Sequence, residues 1–206
     1  MAETGMAETL ARTGPLHGWA GRFAELPDTV ALLAEPFHAM VDVRCSGAAA
    51  ERTAAQVGRP LPVRGWAEGG ADGAGSTAIW LGPDEWLVTS PFVSPADLEA
   101  ALWEALDGEG AAVDVSAQRT TIRLRGAHAR DVLETGCAID LHPRAFPAGS
   151  AAVTTLGQAG VVLLALDDDG TDYRILVRSS FAGYLAEWLI DAATEWHIET
   201  APEHRG

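Results

Sequence analysis

Hydrophobic and polar residues alternate in the first half of the chain in a pattern that predicts strands. The run from His38 to Cys45 (HAMVDVRC) alternates and contains valines, which favour strands. Two further strands are predicted at Thr77–Gly82 and Glu85–Thr89, on either side of a Gly-Pro-Asp turn. A fourth is predicted at Ala111–Val115. This half of the chain is therefore expected to form a sheet.

Helical signals fall between these strands. The stretch from Ala48 to Val57 is rich in alanine and is compatible with a helix. A second helix is predicted to begin after Ser94, a good N-cap, with Pro95 at its first position, and to end near Asp107. The resulting order is strand, helix, strand, strand, helix, strand, which is the split βαβ arrangement of ferredoxin-like folds.

The second half reuses similar parts. A strand over 121–125 carries arginines on one face, and a short helix follows over 127–134. After an irregular connection, strands are predicted at 151–156, 161–166 and 173–177, the last two joined by a hairpin loop at Asp167–Gly170. Ser179 or Ser180 is expected to cap a final helix. Its apolar stripe comprises Phe181, Tyr184, Leu185, Trp188, Leu189, Ala192 and Trp196.

These elements predict the fold class and the domain organisation. We expect an α+β protein with two ferredoxin-like lobes, each built on an antiparallel sheet. The first lobe is expected to span residues 36–117 and the second residues 118–197. Residues 1–35 are expected to be a poorly ordered N-terminal segment, and residues 198–206 a polar tail.

Composition and charge exclude several classes of function. The net charge is −15, so the surface repels both nucleic acids and anionic membranes. All basic residues are arginines, so neither a P-loop lysine nor a Schiff-base lysine is present. No stretch approaches the roughly 18 apolar residues of a membrane helix. Residues 1–13 lack the features of a signal peptide, and we expect a cytoplasmic location.

A search for catalytic and metal-binding patterns finds no convincing site. The six histidines lack the spacing of a helical metal site, and the Asp167–Asp172 loop fails the EF-hand pattern. Ser116 and Ser179 lack a nucleophile elbow. Cys45 and Cys137 are expected to be reduced, and Cys137 follows a helix rather than preceding one, so no helix N-terminus activates its thiol. We expect no catalytic residue, cofactor or metal on this chain.

Several segments between residues 80 and 190 resemble a known family. Asp114-Val115-Ser116 and the strand and helix after it resemble the aminomethyltransferase, or glycine-cleavage T-protein, superfamily. Three further runs resemble the gamma subunit family of heterotetrameric sarcosine oxidase. These runs are Trp80–Leu87 (WLGPDEWL), Gly136–Phe146 (GCAIDLHPRAF) and Arg178–Leu185 (RSSFAGYL).

This resemblance implies a structural, non-catalytic subunit of an oxidoreductase complex. The complex oxidises sarcosine to glycine, releases formaldehyde or forms methylene-tetrahydrofolate, and reduces oxygen to hydrogen peroxide. The implied partners are alpha, beta and delta subunits. FAD, FMN, NAD, the tetrahydrofolate site and zinc are expected on those other chains. The resemblance also implies a T-protein-like fold without a cofactor of its own.

Two other readings remain open on the sequence. The chain could be a stand-alone folate-binding protein with a T-protein-like fold, although it lacks the lysine and the K-G-C-Y-x-G-Q-E motif of the iron–sulfur maintenance proteins. It could instead be a scaffold for an unrelated partner. Folate binding by the purified chain favours the first alternative, whereas insolubility without co-expressed chains favours a subunit.

The irregular connection after Gly136 is the predicted docking segment. Proline prevents regular structure there, so the backbone must find hydrogen-bond partners in side chains, water or another chain. Arginine and phenylalanine are enriched in interface cores. The alternative is that Phe146 fills the lobe's own core while Arg144 pairs locally. The candidate interface residues are Asp140, Leu141, His142, Pro143, Arg144 and Phe146.

Overall fold

A computed structural model of the chain describes residues 13–69 and 75–199 and divides their strands between two sheets. Every strand pairing in both sheets is antiparallel. The strands are β1 (Ala31–Ala34), β2 (Ala39–Arg44), β3 (Trp66–Glu68), β4 (Thr77–Gly82), β5 (Glu85–Ser90), β6 (Ala111–Asp114), β7 (Arg119–Arg125), β8 (Ala151–Leu156), β9 (Ala159–Ala165) and β10 (Asp172–Arg178). The predicted α+β class with two antiparallel sheets is confirmed.

The helices cover the outer faces of the sheets. They are α1 (Ala20–Phe23), α2 (Gly47–Val57), α3 (Pro95–Leu106), α4 (Ala129–Glu134), α5 (Ala182–Ala192) and α6 (Thr194–Glu199), with 3₁₀ turns at His17–Trp19, Asp28–Val30 and Ser179–Phe181. The Ser94 hydroxyl accepts a hydrogen bond from the Asp97 N–H at 3.2 Å, as its N-cap role predicts. Ser179 does not cap α5; its hydroxyl donates instead to the Ala117 carbonyl at 2.9 Å.

The first sheet has the strand order β3-β4-β5-β2-β6. Without β3, this is the order that a split βαβ unit generates, with α2 and α3 as its two helices. The residues of β2 alternate between the faces: Val41 and Val43 pack under the helices, and Met40 lies on the other face. The first lobe is therefore ferredoxin-like.

The second sheet has the order β1-β7-β10-β9-β8. A hairpin, rather than a helix, joins β9 to β10, and helix α5 follows β10 instead of preceding it. Ile122 and Tyr173 pack on the helix side in a core that includes Leu185 and Leu189 of α5. The second lobe thus has the same layers as the first with a different order of elements.

The two sheets meet face to face through an apolar cluster. Met40, Ile79 and Leu87 of the first sheet belong to one buried group with Leu164 and Leu176 of the second. An isolated bridge between Gly65 and Ser150 also links the lobes through the backbone. The structure is therefore layered as helices, sheet, sheet, helices.

The expected poor order of residues 1–35 is wrong for residues 13–34. Residues 1–12 lie outside the described residues. The segment after them buries Leu16, Phe23 and Val30 in the core of the second lobe, and β1 pairs with β7 over four residues. Residues 198 and 199 complete α6 rather than beginning a tail, and residues 200–206 lie outside the described residues. The predicted boundary near residue 117 separates the strands of the two sheets except for β1.

Candidate subunit interface

The predicted docking segment is only partly available to a partner. Leu141 is 1% exposed and Phe146 is 7% exposed, and both belong to the core of the second lobe. Asp140, His142 and Arg144 are exposed, and Pro143 is half-buried. Leu141 and Phe146 therefore fill the lobe's own core. The proposed docking surface is reduced to Asp140, His142, Pro143 and Arg144.

This segment satisfies much of its backbone internally. The Asp140 carboxylate accepts from the His142 N–H at 2.9 Å, and the His142 ring Nδ1 accepts from the Arg144 N–H at 3.2 Å. The His142 carbonyl accepts from the N–H groups of Ala145 and Phe146 at 2.7 and 2.9 Å. These N–H groups are thus satisfied without a second chain, and the segment presents a preformed surface.

A groove beside this segment was not predicted from the sequence. It has a volume of about 360 Å³ and lies between β4 of the first lobe and β8 of the second. Its lining residues are Arg64, Trp80, Leu81, Ala145, Phe146, Ser150, Ala151, Ala152 and Val153. Because these residues are far apart in sequence, no local pattern could have identified the groove.

Most of the tryptophan side chains are covered by the chain itself and do not need a partner to bury them. Trp86 is buried, and Trp80, Trp188 and Trp196 are half-buried. Trp103 is exposed, at 45%. Phe37 and Phe92 are more exposed than Trp103, at 58% and 71%, and neither forms part of a helical stripe.

The arginine face predicted on β7 is largely neutralised by carboxylates. Arg123 donates to both oxygens of Asp172 at 2.8 and 2.6 Å, and this hydrogen bond raises the pKa of Arg123. Arg174 of the neighbouring strand makes a similar paired contact with Glu35, at 2.7 and 3.0 Å. These pairs hold β7, β10 and the segment after β1 together.

The side chains that could act as a nucleophile or a base are held by hydrogen bonds or by burial within the fold. The Ser116 hydroxyl lies 2.5 Å from the Asp114 carboxylate and accepts from the Met40 N–H at 2.8 Å. Burial raises the pKa of the Cys45 thiol, which opposes a reactive thiolate. His128 lies 2.8 Å from the Asp131 carboxylate and stacks on the ring of Trp196. Within residues 13–69 and 75–199, no group of three or more His, Cys, Asp or Glu residues could hold a metal ion.

Comparison with known proteins identifies the family. The model of the "Sarcosine oxidase, gamma subunit family" matches residues 44–195. The chain belongs to the sarcosine oxidase gamma subunit family. A gamma subunit from Corynebacterium sp. (strain P-1) is 36% identical over 205 residues, covering 96% of this chain and 98% of that protein. One from an Arthrobacter species is 40% identical over 149 residues, covering 71% of this chain and 70% of that protein.

Solved structures agree with this gamma subunit assignment. A chain of the heterotetrameric sarcosine oxidase from Corynebacterium sp. U-96, in complex with pyrrole 2-carboxylate, superposes with a TM-score of 0.79 at 33% identity, covering 90% of this chain and 96% of that one. The glycine cleavage system aminomethyltransferase T from Bartonella henselae matches with a TM-score of 0.61 at 14% identity, covering 82% of this chain and 48% of that one. The second match shows that the fold is T-protein-like. No helix within the described part of the chain is long and apolar enough to cross a membrane.

Proposed function

We propose that this protein is the gamma subunit of a heterotetrameric sarcosine oxidase. The observation that carries the proposal is the 36% identity that extends over nearly the full length of both this chain and the Corynebacterium gamma subunit. The complex would oxidise sarcosine to glycine, with formaldehyde or methylene-tetrahydrofolate and hydrogen peroxide as the other products. Alpha, beta and delta subunits would be its partners.

The chain's role in this complex would be structural rather than catalytic. The Ser116 hydroxyl and the His128 ring are each held by a neighbouring carboxylate, and burial raises the pKa of the Cys45 thiol, which opposes a reactive thiolate. By the family resemblance, FAD, FMN, NAD, tetrahydrofolate and zinc would reside on the other subunits. The contribution of this chain would be a rigid surface against which a larger subunit docks.

The exposed residues of the docking segment support this role. Arg144 makes no ion pair within residues 13–69 and 75–199, although acidic residues outnumber arginines in the chain by 29 to 14. His142 and Asp140 present further polar groups beside it on preformed backbone. Polar and charged residues on a rigid loop are typical of the rim of a protein interface.

Co-expression tests the proposal directly. The chain would be produced together with the alpha, beta and delta subunits of a heterotetrameric sarcosine oxidase and purified through a tag on this chain. We expect one assembly that contains all four chains and that releases hydrogen peroxide only when sarcosine is supplied. Recovery of the active alpha, beta and delta chains without this one, or tight tetrahydrofolate binding by this chain alone, would contradict the proposal.

A further inference from the structure

Residues 63 and 64 form a projecting tip next to the inter-lobe groove. Val63 is 76% exposed, and Arg64 is exposed with a backbone φ of 58°. A residue with a side chain costs about 1 kcal/mol in this left-handed region, where glycine costs nothing. The chain therefore carries an arginine at a position where backbone energetics alone favour glycine.

Hydrogen bonds on both sides hold this tip in place. The indole of Trp86 donates to the Pro62 carbonyl at 2.8 Å, just before the tip. The indole of Trp66 donates to the Ala165 carbonyl at 3.0 Å, just after it. A Cβ on the intervening Gly65 would lie 2.5 Å from the Gly149 carbonyl oxygen, so the two backbones touch here. Contacts from both lobes thus fix the backbone on either side of the tip, so Val63 and Arg64 are exposed on a rigid part of the surface.

The groove below the tip is apolar in its floor and basic at its edge. Trp80, Leu81 and Phe146 line it, and Val153 of β8 borders it with 59% of its side chain exposed. No acidic residue is among the lining residues. Arg64 is one of them, and Arg144 immediately precedes the lining residue Ala145.

Neither of these two arginines has a carboxylate partner in the described parts of the chain. Most other arginines of the two sheets form an ion pair, as Arg123 and Arg174 do. In a chain of net charge −15, an unpaired arginine is available for a carboxylate from outside. Because Arg64 and Arg144 both lie beside the apolar groove, they favour an occupant that carries carboxylates as well as apolar side chains.

We infer that this groove binds an acidic, extended segment of a larger partner subunit of the proposed complex. An apolar side chain of that segment would lie between Val63 and Val153, and its carboxylates would meet Arg64 and Arg144. This inference rests on the proposed function, because it names the same partner. It adds a location and a chemical character for the contact.

Charge reversal within the four-chain assembly tests the inference. The double variant Arg64→Glu/Arg144→Glu would be compared with wild type and with Arg59→Glu, an exposed arginine that also lacks an ion pair and does not line the groove. We expect the double variant to bind the remaining subunits at least about 10-fold more weakly at low salt, since like charges replace charge-assisted contacts. Val153→Asp should weaken binding similarly by placing a charge at the apolar border of the groove.

The outcomes separate the two proposals. If the wild-type assembly forms and the double variant binds as tightly as Arg59→Glu, the groove inference is wrong and the proposed function stands. If the wild-type chain does not assemble at all, both fail. Unchanged circular dichroism and melting of the variant chains, measured in parallel, ensure that a loss of binding reports the surface and not unfolding.

Discussion

Replacing Phe146 with alanine separates core packing from docking. The side chain is 7% exposed and packs in the core of the second lobe, so truncation removes most of a buried aromatic ring. Such substitutions cost about 3–5 kcal/mol. Because one side of the ring borders the groove, water can enter part of the space that is left, and we expect a loss of about 3 kcal/mol.

This loss of stability is large enough to measure in two ways. For a chain of this size, about 3 kcal/mol corresponds to a fall in melting temperature of roughly 6–12 °C. Urea unfolding should show an earlier midpoint with an unchanged slope. Phe146→Leu restores an apolar side chain and should recover most of the loss, leaving less than about 1.5 kcal/mol.

Arg144→Ala is the matched control two residues away. Its side chain is exposed and makes no ion pair among the described residues, so stability should change by less than about 0.5 kcal/mol. If Phe146→Ala instead leaves the melting temperature intact and abolishes assembly, the packing argument is refuted and Phe146 contacts a partner.

Three further outcomes are expected. Gly126→Ala should destabilise the chain by more than about 2 kcal/mol, because its φ is 125° and a Cβ would lie 2.2 Å from the Thr29 carbonyl oxygen. In the control Gly160→Ala, the added Cβ would meet nothing within 4 Å, so this variant should unfold in urea like wild type. Burial tends to raise the pKa of Asp167, but hydrogen bonds from its loop outweigh this and lower the pKa below its ordinary value. The protein should therefore lose stability as pH falls below about 4, because the carboxylate is then protonated. Melting curves recorded against pH should show a smaller loss for Asp167→Asn. Cys137→Ala should leave sarcosine turnover by the intact complex within about 3-fold, and a loss of 1,000-fold would reveal a catalytic thiol.

Local signals predicted the elements whose stability is decided locally. The Ser94–Pro95 start of α3 and the alternation in β2 were both readable, because capping and strand alternation depend on neighbouring residues. β1 was missed since Ala31–Ala34 is a short apolar run that becomes a strand only by pairing with β7. β3 was missed for a similar reason, being three residues long beside a glycine-rich stretch.

The interface was predicted less completely than the fold. Composition marked Phe146 as an interface candidate, but burial depends on which distant residues surround a side chain, and here they are those of its own lobe. The groove and the Val63–Arg64 tip arise where the two lobes meet, so they depend on tertiary contacts. An arginine in left-handed conformation carries no sequence signal of its own.

The position of β1 has a consequence for how the chain folds as it is synthesised. β1 is made before the first lobe, yet its partner β7 begins at residue 119. All strands of the first sheet, which lie within residues 39–114, can leave the ribosome and pair before β7, the partner of β1, has been synthesised. Leu32, buried in the finished protein, stays without its core until β7 and β10 have left the ribosome. The first lobe is thus nested inside the second, and a polypeptide cut after residue 117 would leave a finished lobe carrying an unpaired, apolar strand at its N-terminal side.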